Sequence, residues 1–498
     1  MSKKVIIVGS GLGGLSCGFI LAKNGYEVTI LEQNAQIGGC LQCFSRKGVK
    51  FETGMHFIGS ASEGQTLNRI LHYLEVFDDV CLSQLDTGGY DVVSFDGVIY
   101  KFANGRERFV NQMAEYFPAE RDNLKKYFNI VESVANASSF HSLKHSYDGS
   151  ALSMEYQLRS INDVISSVIG DPLLCNVLAG NLPLYAAERD KTPFSTHAFV
   201  MDFYNQSAYR VVDGSDNIAF SLARSIKNMG GRILTSHKVA EIVCDETHAI
   251  GVKTTDGEFF PADVVISDSH PARTIEMVTS PLMRPAYRHR VESLRNTVGG
   301  FSVYLHFRDE AVPYMNYNFY SYNQSTPWDC EKYDEYSWPK GYLYMHFCQQ
   351  EHQRFATSGV ILSYMNYDDV AQWVDTTIGH RGSDYEEFKR RKAERLIEQV
   401  ERYFPELRGN IADYYTSTPL TYLNYTGTVG GSMYGIAKDI NMGPSCRVHH
   451  RTKIPNLLLT GQNINSHGIL GVLVGTIVTC SDLLTSEYIF NQIMEANR

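Results

Sequence analysis

Residues 5–18 read VIIVGSGLGGLSCG. The apolar run Val5 to Val8 is a strand candidate, and a tight glycine turn and a helix follow it. Gly9, Gly11 and Gly14 fill the frame G-x-G-x-x-G, with Ser10 and Gly13 inside it. Gly9 permits the sharp turn, Gly11 lets backbone approach a pyrophosphate, and Gly14 lets the helix pack on the strand. The helix start offers free N–H groups and a partial positive charge to phosphate oxygens. A second strand, Glu27 to Leu31, runs into Glu32 and Gln33. Glu32 lies 18 residues after Gly14, near the spacing of a ribose-hydroxyl acceptor. A glycine frame alone is often an ordinary βα turn. Strand, turn, helix, strand and acid in this order point to a dinucleotide site.

The acid disfavours a 2′-phosphate, so NADP is not expected in this site, but NAD and FAD both fit. The following residues separate them. QNAQIGGC (33–40) and FETGMHFIG (51–59) come next. The pair Gly38-Gly39, followed by Gly54, resembles the extended ADP-binding signature of FAD enzymes in the amine oxidase and phytoene desaturase superfamily. A second glycine loop lets backbone approach the long cofactor again.

A chain of 498 residues is too long for one core and implies two or more domains. With 43% hydrophobic and 20% charged residues it has a globular make-up. A net charge of −10, without a basic stripe interleaved with aromatics, argues against nucleic-acid binding. No uninterrupted apolar run of about 18 residues occurs, so no transmembrane helix is expected. The first strand begins at Val5, which leaves no room for a cleavable signal peptide. Ten cysteines without framework spacing fit a reducing compartment, and a cytoplasmic location is expected.

Along the chain, VVSF and VIYKF flank Asp96-Gly97, a hairpin signal. An amphipathic helix with Phe109, Met113 and Phe117 on one face ends before Pro118, and a helical stretch capped in part by Ser160 continues to about Ala187. Another helix follows Asp213-Gly214-Ser215 and stops at Gly230-Gly231, before a strand holding Val239. A hairpin at Asp256-Gly257 leads to an apolar strand ending near Ser267. Twelve Phe, Tyr and Trp lie between Tyr314 and Phe347. FSVYLHF and YLYMHF alternate at period two and read as strands, forming either a core sheet face or a wall for a large apolar ligand. A charged helix spans about Asp384 to Phe404. IPNLLLTGQNINSHGILGVLVGTIVTCSDLL (454–484) reads as strand, polar glycine loop and a helix from near Gly468. That helix is apolar nearly all round, so it should be buried, with Gly471 and Gly475 permitting close packing. Its N-terminal dipole favours negative charge, as on an anionic reduced flavin.

The stretch LEQNAQIGGCLQCFSRKGVKFETGMHFIGSASEG (31–64) resembles the N-terminal signature of the all-trans-retinol 13,14-reductases, the retinol saturases. LLLTGQNINSHGILGVLVGTIVTCSDLL (457–484) is similar to the C-terminal signature of the same family, and STPLTYLNYTGTVGGSMYG and KVAEIV also fit. Wider kin are carotenoid isomerases and phytoene desaturases. The resemblance implies an α/β fold with a Rossmann-type FAD-binding domain assembled from residues 1–90, 205–290 and 440–498. An interleaved α+β substrate domain, a mixed sheet with a helical lid, would occupy 91–204 and 291–439. It places Gly9, Gly11, Gly14, Glu32, Gly38, Gly39, Val239, Gly461 and Gln462 on FAD-contacting motifs. Gly461, Gln462 and the helix start at Gly468, Ile469 and Leu470 would approach the flavin ring. Two departures stand out: Asp213-Gly214-Ser215 replaces the usual Gly-Gly-Ser, and Gln462-Asn463 replaces a pair with an acid in second place.

The implied function is FAD-dependent reduction of a carbon–carbon double bond in a polyene or isoprenoid, with hydride passing from flavin N5. Carotenoid cis–trans isomerisation or desaturation at the same flavin is the alternative. A non-catalytic prenyl-binding protein of the GDP-dissociation-inhibitor type is an alternative of another class. With no separate nicotinamide domain, reductant would come from transient NAD(P)H at the flavin face or from another donor. A polyene, carotenoid or retinoid substrate implies peripheral membrane contact, through an amphipathic helix in 103–187.

Cys40 and Cys43 form a C-x-x-C beside the glycine pair. Its spacing is not that of glutathione-reductase-like enzymes, and no His-Pro base segment ends the chain, so buried packing is expected over a redox dithiol. No second cysteine or histidine pair offers metal spacing, and no metal is expected. His56 and His467 are candidate proton donors to an alkene carbon, each against the simpler role of a backbone-bonded histidine. Tyr425 and Tyr434 are further donors.

Overall fold

The computed structural model describes residues 2–143 and 150–498. Its first large sheet is built from five parallel strands: β1 (Lys4–Val8), β2 (Glu27–Leu31), β3 (Arg232–Leu234), β4 (Val264–Ser267) and β5 (Leu457–Leu459). Their order is β3-β2-β1-β4-β5. At the centre Ile7 lies beside Ile30 on one side and Ile266 on the other. The side chains of β1 alternate between two cores. Val5 and Ile7 face helices α1 (Leu12–Lys23) and α2 (Gly468–Leu484), whereas Ile6 and Val8 face the antiparallel pair Val239–Cys244 and Ala249–Thr254. With both faces covered, β1 runs apolar without a break from Val5 to Val8, and β5 is apolar throughout.

Helix α2 is buried along most of its length, as its all-round apolar sequence requires. A Cβ on Gly471 would lie 2.7 Å from Ser466, so small residues there let the polar loop close on the helix. Among the described residues no single helix is long and apolar enough to cross a membrane. Gly468–Leu484 and Ser486–Ala496 reach that length only as a pair, bent by 119°.

The second large sheet has seven strands in the order Ile411–Ser417, Gly299–Phe307, Ser358–Met365, Gly341–His346, Asn318–Tyr322, Asp91–Phe95 and Val98–Phe102. It is mixed: Asn318–Tyr322 runs parallel to Asp91–Phe95, and the other neighbours are antiparallel. Asp96 and Gly97 both take positive φ, 48° and 83°, which closes the hairpin with Phe95 opposite Val98.

The period-two strands FSVYLHF and YLYMHF form, but they are not half-exposed. Tyr304, Leu343 and Met345 face a core shared with the helices Arg106–Tyr116, Arg121–Asn136, Ile161–Val168 and Phe194–Gln206. Val303, Leu305, Tyr342 and Tyr344 face a second core closed by the helix Ser383–Glu401. Polar tips are satisfied inside: the Tyr344 hydroxyl pairs with His346 Nε2 at 2.6 Å and Tyr304 with Ser417 Oγ at 3.1 Å. Ser160 caps its helix, accepting from Asp163 N at 3.1 Å.

Candidate active site

At the end of β1, Gly9 takes φ +96° and donates its N–H to Leu31 O at 2.8 Å. A Cβ on Gly14 would lie 2.2 Å from the Gly9 carbonyl oxygen, so α1 reaches this close to the turn only with glycine there. Gly11 caps α1 without a capping side chain of its own, and the carboxyl of Asp268 faces the Gly11 and Gly14 amides. A helix start of this kind favours an anion. Gly38 N donates to Ser10 O at 2.9 Å, and Gly39 closes on Gly11. The second glycine pair therefore braces the first turn.

Glu32, 5% exposed, stands at the end of β2. Its Oε2 accepts from Ser10 N at 3.0 Å and Ser10 Oγ at 2.6 Å, and its Oε1 accepts from Asn34 N at 2.8 Å. The acid assigned to a ribose also ties the glycine turn to β2.

A cavity of about 770 Å³ opens from this turn, within the range of cofactor sites. Gly9, Ser10, Gly11, Gly13, Glu32 and Gln33 line it, with Gly38, Gly39 and Gly54 from the second loop. Val239 reaches it from the antiparallel pair, and Gly461, Gln462, Gly468 and Ile469 from the tail. Gly14 and Leu470 do not line it. Gly14 packs on Gly9, and Leu470, 8% exposed, belongs to the core it shares with α1. The residues present fit FAD: a helix start at the glycine turn, an acid at the ribose position, and glycine backbone without side chains at Gly11, Gly13 and Gly461.

Residues 12–473 match the flavin-containing amine oxidoreductase family. The chain belongs to this family. As a flavin-containing amine oxidoreductase by family, it is an FAD-dependent oxidoreductase. The human all-trans-retinol 13,14-reductase is 27% identical to it over 98% of this chain and 86% of its own length. A prolycopene isomerase of an Oncidium hybrid cultivar is 23% identical over 94% of this chain and 81% of its own. An oxidoreductase of Methanosarcina mazei shares the fold over 95% of this chain and 99% of its own, with a TM-score of 0.64 at 16% identity.

Of the proton donors expected from sequence, Tyr425 and Tyr434 line the cavity of this flavoenzyme, and His56 and His467 do not. His56 does not line it: Nδ1 lies 3.9 Å from Glu52 Oε2 and the ring 6.0 Å from Phe347, while its neighbour Met55 lines the cavity. His467 precedes α2 with its ring 4.6 Å from that of Tyr434. Burial, with Lys438 adding to it, pushes His467 down to about 3, so the imidazole is neutral at physiological pH. Tyr425 lines the cavity but is 47% exposed, and its carbonyl accepts from Asn34 Nδ2 at 2.9 Å. It sits on the rim near Glu32 rather than at the start of α2. Tyr434 donates to Pro183 O at 2.8 Å, and burial pushes its hydroxyl well above the usual range.

All ten cysteines are free. Cys40 lines the cavity, and burial, then the charge of Asp268, raises its thiol to about 11. Cys43 lies 3.7 Å from Ser215 Oγ and is raised further by burial, Glu52 and Asp216. Neither is a poised thiolate. Among the described residues no group of three or more His, Cys, Asp or Glu is placed to hold a metal ion.

One residue of the site escaped the sequence reading. Asp268 follows β4 and lines the cavity against the glycine turn. Burial, then Glu32, raises its carboxyl to about 7, against the pull of the Gly14 and Gly11 amides. Its place at the carboxyl end of a parallel strand beside β1 is where such sheets bind ligands. That neighbourhood was hidden because 259 positions of sequence separate Val5 from its β4 partner Val264.

Proposed function

We propose that this flavoenzyme reduces a carbon–carbon double bond of a conjugated polyene or isoprenoid. The observation that carries the proposal is the apolar-walled end of the cavity at the start of α2. Met433, Tyr434, Ile469 and Val472 wall it. Of the titratable groups nearby, His467, Tyr434 and Cys40 are held neutral by burial, and Lys438, which acts on His467, is lowered by burial to about 8. Such a slot accepts a hydrocarbon and gives an ammonium substrate no counter-ion. The similarity to retinol reductases supports the same substrate class.

Bound FAD would supply the hydride chemistry. The chain fixes the dinucleotide at the glycine turn, excludes water with the apolar wall, and sets the positive end of α2 against developing negative charge. In this division residues 1–90, 205–290 and 440–498 hold the cofactor, and 91–204 and 291–439 hold the substrate. Reductant reaches the site from NAD(P)H at the ring face or from a separate donor.

The likeness to prolycopene isomerases favours a second reading, isomerisation in the same slot. Absorbance separates the two. When an all-trans polyene alcohol is added to anaerobically reduced protein, return of the oxidised flavin band supports reduction. Isomer formation with the band still bleached supports isomerisation and overturns the reductase.

Polyenes dissolve in bilayers, and a surface around Tyr100 exposes Val98, Ile99, Tyr116 and Leu173. This is the proposed membrane contact. Liposome flotation tests it, and failure to float at both low and high salt removes it.

A further inference from the structure

Asp268 occupies a strip of the cavity that a dinucleotide must cross. Its N–H donates to Val8 O at 2.8 Å, which draws the residue from β4 over to the end of β1. Cβ atoms built on Gly11, Gly13 and Gly461 would stand 2.5, 2.5 and 2.4 Å from its carboxyl oxygens. The side chain is half-buried, and what it exposes faces the cavity. The carboxyl therefore lies between the first amides of α1 and the Gly461 loop. A diphosphate joining a ribose at Glu32 to a flavin ring at α2 must pass this strip.

The groups facing Asp268 are Glu32 from β2, Cys40 from the second glycine loop, the amides of Gly11 and Gly14, and the Gly461 backbone. Glu32 is a like charge, and its own partners are Ser10 and Asn34. Among the described residues no lysine, arginine or histidine pairs with Asp268. A diphosphate would bring two more negative charges beside two carboxyls; Lys238, Arg273, His237 and His270 line the same cavity, but among the described residues none forms an ion pair with either carboxyl. Like charges at such range cannot all remain ionised without cost. A protonated carboxyl changes from competitor to hydrogen-bond donor.

We propose that Asp268 is a proton-linked part of the diphosphate subsite: the dinucleotide binds with the Asp268 carboxyl protonated and, in mildly alkaline solution, takes up about one proton. The proposal rests on flavin binding alone, so it stands or falls separately from the polyene substrate. Before binding, burial has already raised this carboxyl to about 7. The added phosphate charge raises it again. A group that gains affinity for protons on binding favours binding when protonated. Affinity is thus complete below about pH 7 and falls by about tenfold per pH unit above it, until the pKa of the complex is reached.

The test uses the full-length chain freed of flavin and titrated with FAD between pH 6 and 9, followed by flavin fluorescence. Calorimetry at pH 8 in two buffers of different ionisation enthalpy counts protons. The expected results are a dissociation constant that rises by nearly tenfold from pH 7.5 to 8.5 and uptake of about one proton. Asp268→Asn keeps the shape and a donor without the titration. It should bind with no pH slope, match the wild type at pH 6, and exceed it by at least tenfold at pH 8.5. Binding enthalpies identical in the two buffers would mean no proton uptake and overturn the proposal without any variant. A wild-type slope in Asp268→Asn would also overturn it, since another group would then carry the proton.

Discussion

Replacing Gly14 by alanine tests the glycine turn with a single carbon atom. The new methyl would meet the Gly9 carbonyl oxygen at 2.2 Å and the Gly9 carbonyl carbon at 3.2 Å. Carbon and oxygen rest no closer than about 3.3 Å, so the turn must open by about 1 Å. Neither atom can rotate away. One is backbone, and the other is on α1, tied down by Leu15 N to Gly11 O at 2.9 Å. Overpacking of this kind costs about 1–3 kcal/mol. The displaced Gly9 carbonyl precedes Ser10, whose N–H reaches Glu32 at 3.0 Å, so the α1 amides shift with it. One lost hydrogen bond to a charged group costs about 1.5–3 kcal/mol, which weakens FAD binding by about ten- to a hundredfold. Fluorescence titration measures the affinity, and circular dichroism reports whether the fold survives. Gly88→Ala is the control: its methyl would meet only Asp86 Oδ1, at 3.4 Å. Gly14→Ala that binds FAD as tightly as Gly88→Ala would refute the reasoning.

Glu32→Ala removes the acceptor of three hydrogen bonds. It should weaken FAD binding by about 1–3 kcal/mol in the same titration, and unchanged affinity would take Glu32 out of the site. His467 is already neutral far above about pH 3, so the pH–rate profile of His467→Phe between pH 5 and 9 should keep the wild-type shape. An acid limb lost from that profile would show a working imidazolium. Thiol titration of the unfolded, air-exposed protein should count ten thiols, and a count of eight would reveal a disulfide that the structure lacks.

The local half of the site was legible in the sequence because its parts are contiguous. Val5 to Gly14 and Glu27 to Glu32 spell strand, turn, helix, strand and acid, and each forms as its pattern dictates. The tail helix was equally plain, since seventeen residues from Gly468 to Leu484 carry a single charge at Asp482. What stayed hidden depends on contacts between distant segments. Asp268 has no motif of its own and becomes part of the site only when β4 docks beside β1. The surroundings of the candidate proton donors were hidden for a related reason. Sequence placed His56 and His467 near the flavin motifs, but the direction of the His56 ring and the desolvation of His467 are tertiary properties. Alternation in FSVYLHF showed which residues share a face but not that both faces would be covered.

A single anaerobic turnover addresses the proposed chemistry without intermediaries. Flavin-loaded protein is fully reduced, mixed with an excess of an all-trans polyene such as all-trans-retinol, and the products are weighed by mass spectrometry. The expected product is heavier by two hydrogens, formed once per flavin oxidised. A product of unchanged mass, or untouched substrate beside flavin that stays reduced, would contradict the assignment.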